Sequence, residues 1–436
     1  MTECYQGELG FGRAQRRAVT ADFSGGDISS DGGVLLLRKT DQVIGLTAAM
    51  SKALEDERRQ ASCAHTLVTL LRQRVFALAL GYEDVNDHDH LRWDGALQTA
   101  CGRVDAMGSS STVGRLERRA DRQAAWALHA VLFEQFVSAF KQAPAELILD
   151  FDATDDPVHG KQEGRFFHGY YDHYCFLPLY VTCGDHLLVS YLRPSNIDAA
   201  KHAWAILSLL VKHLRQVWPA VKIVFRGDSG FCRHRMLRWC EDHEVSYIVG
   251  LAQNARLLDK ASNLMRVAKD RFEEKQEFQR LFHAMNYSAA TWDRQRQVIV
   301  KAEHSDKGAN PRFVVTNLEG EAQTLYEELY CARGDMENRI KEQFQLFSDR
   351  TSCHQWWPNQ FRLLLSSCAY VLMSALRRLG LRQTALAKAQ VDTIRLQLFK
   401  IGAVIIRNTR RIRFLLSSSY PRQRLFAQVA ANLESG

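Results

Sequence analysis

The stretch LILDFDATDDPVHG (147–160) decides the architecture of this chain. From Leu147 to Asp152 apolar and acidic residues approach the period of two that marks a strand, and Thr154 to Pro157 carry turn chemistry. A strand of this kind starts in an apolar core and delivers carboxylates at its C-terminal end. The following FFHGYYDHYCFLPLYVTCGDHLLVSYLRP (166–194) continues it, making three strands in meander order, the last two joined near Gly184 and Asp185. AAKHAWAILSLLVKHLRQVWP (199–219) reads as a crossover helix, VKIVFRGD (221–228) as a short buried strand, HRMLRWCEDHE (234–244) as a helix and VSYIVGLA (245–252) as another strand. A strand meander followed by alternating helices and strands predicts a mixed α/β sheet with a parallel half.

Outward from this core the pattern changes. Residues 1–33 are rich in Gly and Ser, and helical periodicity then dominates, with HTLVTLLRQRVFALALGY (65–82) and a long amphipathic helix over 109–140 opened by serines suited to an N-cap. Residues 1–140 therefore read as a mostly helical N-terminal domain, and 145–254 as the first part of the sheet core. An insertion over 255–320 carries a hairpin, QVIVKAE (297–303) with PRFVVTNL (311–318). The core resumes over 321–350, and a basic, helical region fills 351–436.

The 436 residues are too many for one ordinary core, and 46% hydrophobic with 24% charged residues is a globular composition. A formal net charge of +8 is compatible with a polyanionic partner, more so because from Arg377 to Arg424 Asp392 is the sole acid. Ten cysteines without a CxxC pair read as reduced, mostly buried thiols and give no zinc site. The N-terminus lacks the apolar core of a signal peptide. The most apolar stretch, FRLLLSSCAYVLMSAL (361–376), is expected to be too short to span a bilayer and to form a buried core helix. A cytoplasmic protein with no membrane partner is the expectation.

Three acidic elements stand out. Asp150 and Asp152 share one face of the first strand, with Asp155 and Asp156 in the turn beyond, and any of them could ligate a metal, although Asp at a strand end is commonly turn chemistry. Asp228 in RGDSGF follows an apolar strand and lies between Gly227 and Gly230, which suits a sharp bend as well as a plain capping role. Tyr330, Arg333, Glu337 and Lys341 in YCARGDMENRIKE (330–342) fall on one helical stripe. Such a stripe can be a plain salt-bridged face, but Gly334 within it costs roughly 1 kcal/mol and suggests close approach of backbone or substrate. Asp152, Asp228 and Glu337 together would make an acidic pocket suited to Mg²⁺ or Mn²⁺, and paired ions suit in-line displacement at a phosphodiester. His159 and His168 lie near the first strand, but their spacing marks no metal site.

In this order, LDFDATDD, RGDSGF and YxxRxxxE resemble the DDE transposases of bacterial insertion sequences, whose catalytic core is RNase H-like. Within these, the chain is similar to the group with a Tyr-Arg-Glu signature and a β-rich insertion before the Glu, the insertion-sequence family thirteen-eighty in particular. DGGVLLLRKTD (31–41), GYEDVNDHDHLR (81–92), QFRLLLSSCAYVLM (360–373) and SSYP (418–421) extend the resemblance over nearly the whole chain. It implies an α/β, RNase H-like core with a β-rich insertion and helical regions at both ends. Asp152, placed first by the Asp152-Ala153-Thr154 run, would with Asp228 and Glu337 hold two Mg²⁺ ions, with Mn²⁺ as substitute. Tyr330 and Arg333 would hold the DNA end. One departure is clear: a Lys seven residues after the Glu belongs to the related signature, and Phe344 stands there, with Lys341 one turn earlier.

The implied activity is strand cleavage at terminal inverted repeats followed by transfer of the 3′-OH ends into target DNA, by a homodimer assembled on duplex DNA. Both steps are in-line substitutions at phosphorus and need no covalent protein intermediate, which argues against Tyr330 as a nucleophile. Trp292 could stack on a flipped base or simply pack the inserted sheet. Arg115, Arg118, Arg119 and Arg122 are candidates for reading the repeats, and Arg407, Arg410, Arg411 and Arg413 for gripping phosphates. Two other readings use the same residues: a metal-dependent nuclease that does not join strands, and a non-catalytic DNA-binding descendant of a transposase.

Overall fold

The computed structural model describes residues 7–435. Contacts divide the chain into two compact units, one of residues 121–344 and 348–367, the other of residues up to 120 together with 345–347 and 368 onward.

The first unit is built on a sheet. Helix α1 (Arg122–Ser138) leads into β1 (Glu146–Ala153), the strand expected from the alternating stretch. A small three-stranded sheet follows, of β2 (Asp156–Pro157), β3 (Phe166–His168) and β4 (His173–Phe176). β5 (Leu179–Cys183) and β6 (His186–Tyr191) complete the meander, turning at Gly184 and Asp185. Next come α2 (Ala203–Val217), β7 (Lys222–Gly227), α3 (His234–Asp242) and β8 (Ser246–Leu251). The segment expected as an insertion forms α4 (Ala255–Lys275), β9 (Gln279–Tyr287), β10 (Arg296–Ser305), β11 (Gly308–Ala309) and β12 (Arg312–Thr316).

These strands make one nine-stranded mixed sheet in the order β9-β10-β12-β8-β7-β1-β5-β6, with β11 on β10. β7 lies parallel to both β1 and β8, and the other pairs are antiparallel. The inserted strands are thus continuous with the central sheet, because β12 pairs with β8 along Ile248 to Leu251.

Strand alternation gives the sheet two unlike faces. Leu147, Leu149, Phe151, Ile223, Phe225, Tyr247 and Val249 point to one side and join a large apolar core with Phe136 of α1, Leu207 and Leu214 of α2, and Leu237 of α3. Full burial of such side chains stabilises by about 1.5–3 kcal/mol each. Val224 and Ile248 face the other way, against Leu325 and Tyr326. Further along that second face come Asp150, Asp152, Arg226 and Asp228.

The second unit joins the two ends of the chain. Its helices include Val34–Ile44, Leu67–Leu80 and Ser110–Arg118, and Gln423–Glu434 near the C-terminus. Ile28–Ser29 pairs with Ala403–Arg407, which pairs with Ile412–Leu416. Gly33 shows why the DGG motif is there: a Cβ on it would lie 1.8 Å from the Leu398 carbonyl oxygen, so no side chain fits where the two segments cross. Asp31 takes an ion pair from Lys400 at 2.7 Å and a hydrogen bond from the Tyr82 hydroxyl at 2.6 Å.

This division differs from the expected boundaries. The helix expected over 109–140 breaks at Ala120, and Asp121 starts a new one by accepting from the Ala124 N–H. Residues 122–138 belong with the sheet, while 368–435 belong with the N-terminal helices and include a β-hairpin rather than helix alone. The apolar stretch lies within a helix, α6 (Trp356–Ala375), that continues through a π-turn to Gly380. That run of 25 residues is long and apolar enough to cross a membrane by length and composition, so the expected shortness does not hold, but 83% of its most apolar window is buried in the protein. The nine described cysteines are free thiols.

Candidate active site

β1 and β7 run side by side with Asp150 opposite Arg226 and Phe151 opposite Gly227. The same register carries Asp152 level with Asp228, at the C-terminal edge of the parallel strands. The two aspartates of β1 then part in role. Asp150 is buried and held by the Arg226 guanidinium through both carboxylate oxygens, one at 2.7 Å. Arg226 also donates to the Leu329 carbonyl at 2.5 Å, tying the sheet to the segment that covers it. Asp150 is therefore a structural ion pair, and Asp152 is the carboxylate left facing the edge.

Asp152 accepts from the Ala153 N–H at 2.9 Å and from Arg333 Nη1 at 3.0 Å. Burial, then the neighbouring charges of Asp228 and Glu337, push its carboxyl up to about 6 against the pull of Arg333. Asp228 Oδ1 accepts from the Gly230 N–H at 2.8 Å, so the capping role open at the sequence level is real and fixes this carboxylate's orientation.

The third element is not one continuous helix. Residues 325–330 form a π-turn and 331–333 a 3₁₀ turn, and α5 (Gly334–Gln345) starts only at Gly334. Irregular helix of this kind is frequent at functional sites. Arg333 and Glu337 still meet across one turn, at 3.2 Å. Gly334 does not meet the expectation of a tight approach within the chain, because a Cβ there would meet nothing within 4 Å. The close approach lies elsewhere, at Gly250 on β8, where a Cβ would lie 2.6 Å from the Tyr330 hydroxyl and 2.7 Å from the Ser229 amide nitrogen. A glycine inside an otherwise apolar strand was the available signal.

Arg333 is the hub of this arrangement. Against the opposing effect of burial, Asp152, Tyr330, Asp228 and Glu337 raise its guanidinium above the ordinary arginine value. One guanidinium faces three carboxylates, so two formal negative charges remain unbalanced when all three are ionised. Among the described residues no three His, Cys, Asp or Glu side chains stand close enough together to hold a metal as they are. Arg333 is interposed between Asp152 and Glu337. The donor chemistry nonetheless fits a hard divalent cation, since all three groups offer carboxylate oxygen and lack positive charge.

The remaining candidates fall into place unevenly. Tyr330 is half-buried, packed on Tyr326 with ring centroids 5.4 Å apart, and close to Asp228 through Gly250. Lys341 is exposed on α5. Asp155 pairs with His173 at 2.8 Å, and Asp156 is buried and accepts from the Thr351 hydroxyl at 2.9 Å, so neither joins the carboxylate group. Trp292 does not reach it either: its ring packs on Tyr287 at 5.6 Å with Arg296 over it at 5.3 Å. Strand pairing through β12 sets Arg296, at the start of β10, near the level of Tyr247, toward the opposite edge of the sheet. Arg410 and Arg411 lie exposed at the tip of the hairpin of the second unit, both amides bonded to Asn408 Oδ1. Arg407 is committed to Asp27, the Val104 carbonyl and Gln98 rather than free for phosphate. Arg115, Arg118, Arg119 and Arg122 are exposed.

Comparison with known proteins gives this geometry a context. No curated protein matches the chain. Among solved structures it is similar to a piggyBac transposase, determined by cryo-EM as a synaptic complex with hairpin DNA, at 12% identity over 92% of this chain and 84% of that one, with a TM-score of 0.41. A family model described as transposase DDE domain, group 1, matches residues 11–435, which takes in both units and all three carboxylates. On that match, the chain belongs to the DDE transposase domain family of group 1.

Proposed function

We propose that this chain is the transposase of a bacterial insertion sequence, close to family thirteen-eighty, that cuts DNA at terminal inverted repeats and joins the 3′ ends to target DNA. The observation that carries the reading is that Asp152 and Glu337 both pair with Arg333, with Asp228 level with Asp152 at the edge of the parallel strands, in a chain whose residues 11–435 match a DDE transposase family. The order β6-β5-β1-β7-β8 in the sheet supports an RNase H-like core, with β9 to β12 as the elaboration before Glu337.

Asp152, Asp228 and Glu337 would hold Mg²⁺, in two ions, or Mn²⁺ in its place. When bound, these ions supply charge stabilisation at phosphorus and lower the pKa of a bound water. The side chains of the chain do the rest. Asp228, fixed by the Gly230 N–H, and Asp152, fixed by the Ala153 N–H, present oxygens from rigid strand ends rather than from a mobile loop. Arg333 offsets part of the pocket's negative charge in the free protein and would become available to a phosphate once other positive charge replaces it. Tyr330, wedged at Gly250, lies beside Asp228 where a DNA strand would pass. In cleavage, a water oxygen forms the new bond to phosphorus and the 3′ oxygen leaves with the bonding pair. In joining, the freed 3′-OH loses its proton and its oxygen forms the new bond to a target phosphorus, while the target's own 3′ oxygen leaves with the bonding pair and takes up a proton. The proposed assembly is a homodimer on duplex DNA, in the cytoplasm.

The test is cleavage of a labelled duplex carrying the element's terminal repeat, with and without Mg²⁺, by wild type and Asp228→Ala. Nicking at the repeat boundary that needs metal and vanishes in the variant supports the reading. Binding without cleavage in Mg²⁺ or Mn²⁺ would instead favour a non-catalytic DNA-binding protein.

A further inference from the structure

The link from β1 to β5 carries a surface that the carboxylates alone do not explain. Ala153 at the end of β1 lies opposite Leu179 at the start of β5, so the intervening chain must leave and return at the edge where Asp152 sits. It does so as a hairpin, with Phe167 opposite Tyr174 and His168 opposite His173. Four rings on this short hairpin are exposed: Phe166 by 41%, Phe167 by 52%, Tyr170 by 85% and Tyr174 by 48%. Phe167 and Tyr174 share one face of the hairpin, Phe166 lies on the other and Tyr170 stands at the tip, and exposed rings gathered on so short a segment mark a binding site more often than an accident of sequence.

Two further observations orient the surface. Tyr171, at the tip, is within electrostatic reach of both Asp155 and Asp152, and His173 Nε2 pairs with Asp155 at 2.8 Å. The His173 contact ties the hairpin to Asp155, three residues beyond Asp152 in the chain. A cation accompanies the rings, the Arg165 guanidinium 4.5 Å above the Tyr174 ring, and Lys161 is exposed four residues earlier in the chain. Phe167 meets Tyr174 at 74° and Tyr170 meets Tyr171 at 86°, both edge to face, while Tyr171 lies near parallel to His173; Tyr170, 85% exposed, leaves most of its ring to solvent. Exposed rings with a cation beside them are the chemistry that holds unpaired nucleic-acid strands, by base stacking and phosphate attraction.

We infer that this hairpin stacks against unpaired DNA bases flanking the phosphodiester at Asp152, Asp228 and Glu337, an inference that rests on the proposed function. Strand separation at the cut end would expose such bases, and the hairpin is positioned to hold them.

The experiment uses the full chain, with Ca²⁺ in place of Mg²⁺, and two terminal-repeat duplexes. One is blunt and the other has four unpaired nucleotides at the cleavage boundary, one of them 2-aminopurine. Wild type is expected to bind the second about tenfold more tightly and to quench its fluorescence. Tyr170→Ala and Phe167→Ala are each expected to lose about fivefold or more of that preference, the lower end for one stacked base. Their melting temperatures should match wild type, because the rings are exposed, and Tyr170→Phe should restore both signals. Variants that keep the preference and the quenching overturn the inference while leaving the proposed function intact. A changed solution mass in Tyr170→Ala, with unchanged DNA preference, also overturns it and assigns the surface to a second copy of the chain. Failure of wild type to bind either duplex overturns both readings.

Discussion

Two aspartates on one face of β1 invite opposite expectations. Asp150 is closed in an ion pair with Arg226, and removing one partner of such a pair leaves an uncompensated buried charge, a loss of about 3–5 kcal/mol. Arg226→Met should therefore unfold at clearly lower urea concentration than wild type. Asp152→Asn should not. The folded value of Asp152, about 6, lies above the ordinary 3.8, so its contribution is fully present below pH 3.8 and is lost as pH rises through 6. Asp152→Asn removes that loss and should be as stable as wild type, or more stable by about 1–2 kcal/mol, at pH 7.5 in metal-free buffer. Arg333→Ala should show the reverse pattern, with a deficit of about 1–3 kcal/mol at pH 8 that shrinks as pH falls through 6 and protonation replaces the guanidinium. Urea titrations at two pH values check all three variants. The alternation of β1 showed that both aspartates share a face, but their separate roles depend on Arg226, a neighbour only through pairing of strands 76 residues apart.

At the scale of elements, the strands around the site were legible because each combines an apolar run with a clear turn. β5, β6, β7 and β8 lie within the stretches that predict them, and β1 starts one residue before its own. The helix of Tyr330 and Arg333 was less so. Its spacing reads as one stripe, whereas the backbone passes through π and 3₁₀ turns before α5, a distortion that periodicity does not encode. Gly250 is part of the reason the segment packs so closely, and Gly250→Ala should cost about 1–3 kcal/mol by overpacking against Tyr330 and the Ser229 amide. Tyr330→Phe should not fully rescue it, because the backbone contact remains. Asp156 supplies a separate test beside the site. Burial outweighs its Thr351 hydrogen bond, and with Asp349 and Asp155 nearby its carboxyl is pushed up to about 8. Its contribution is present below pH 3.8 and lost as pH rises through 8, so Asp156→Asn should flatten the fall in stability between pH 5 and 9 and be the more stable protein at pH 9. Thermal melts across that range measure it.

For the whole molecule, the partition of the chain is the feature that local pattern hides. Composition separates 1–140, the sheet core and a basic tail, but the structure folds the tail together with residues up to 120. The crossing of Gly33 and Leu398 is a contact between segments 365 residues apart, and no local signal announces it. A fragment of residues 1–140 alone should therefore fail to show cooperative unfolding by circular dichroism. Gly33→Ala in the full chain should destabilise by about 3 kcal/mol or more, since the clash is with backbone and not a yielding side chain. The carboxylate site was legible as three separate motifs. Its interposed arginine and the placement of Trp292 away from it required the tertiary fold.

The measurement that tests the central claim most directly is single-turnover cleavage of a terminal-repeat duplex by Asp152→Asn, Asp228→Asn, Glu337→Gln and Asp150→Asn, with DNA affinity measured alongside. The account requires the first three to lose cleavage by about 10³-fold or more while still binding DNA, the scale on which removal of an essential group in phosphoryl transfer is felt. Asp150→Asn should lose activity only in proportion to its folded fraction. Wild-type cleavage by any of the first three, or selective abolition in the fourth with its fold intact, would contradict it.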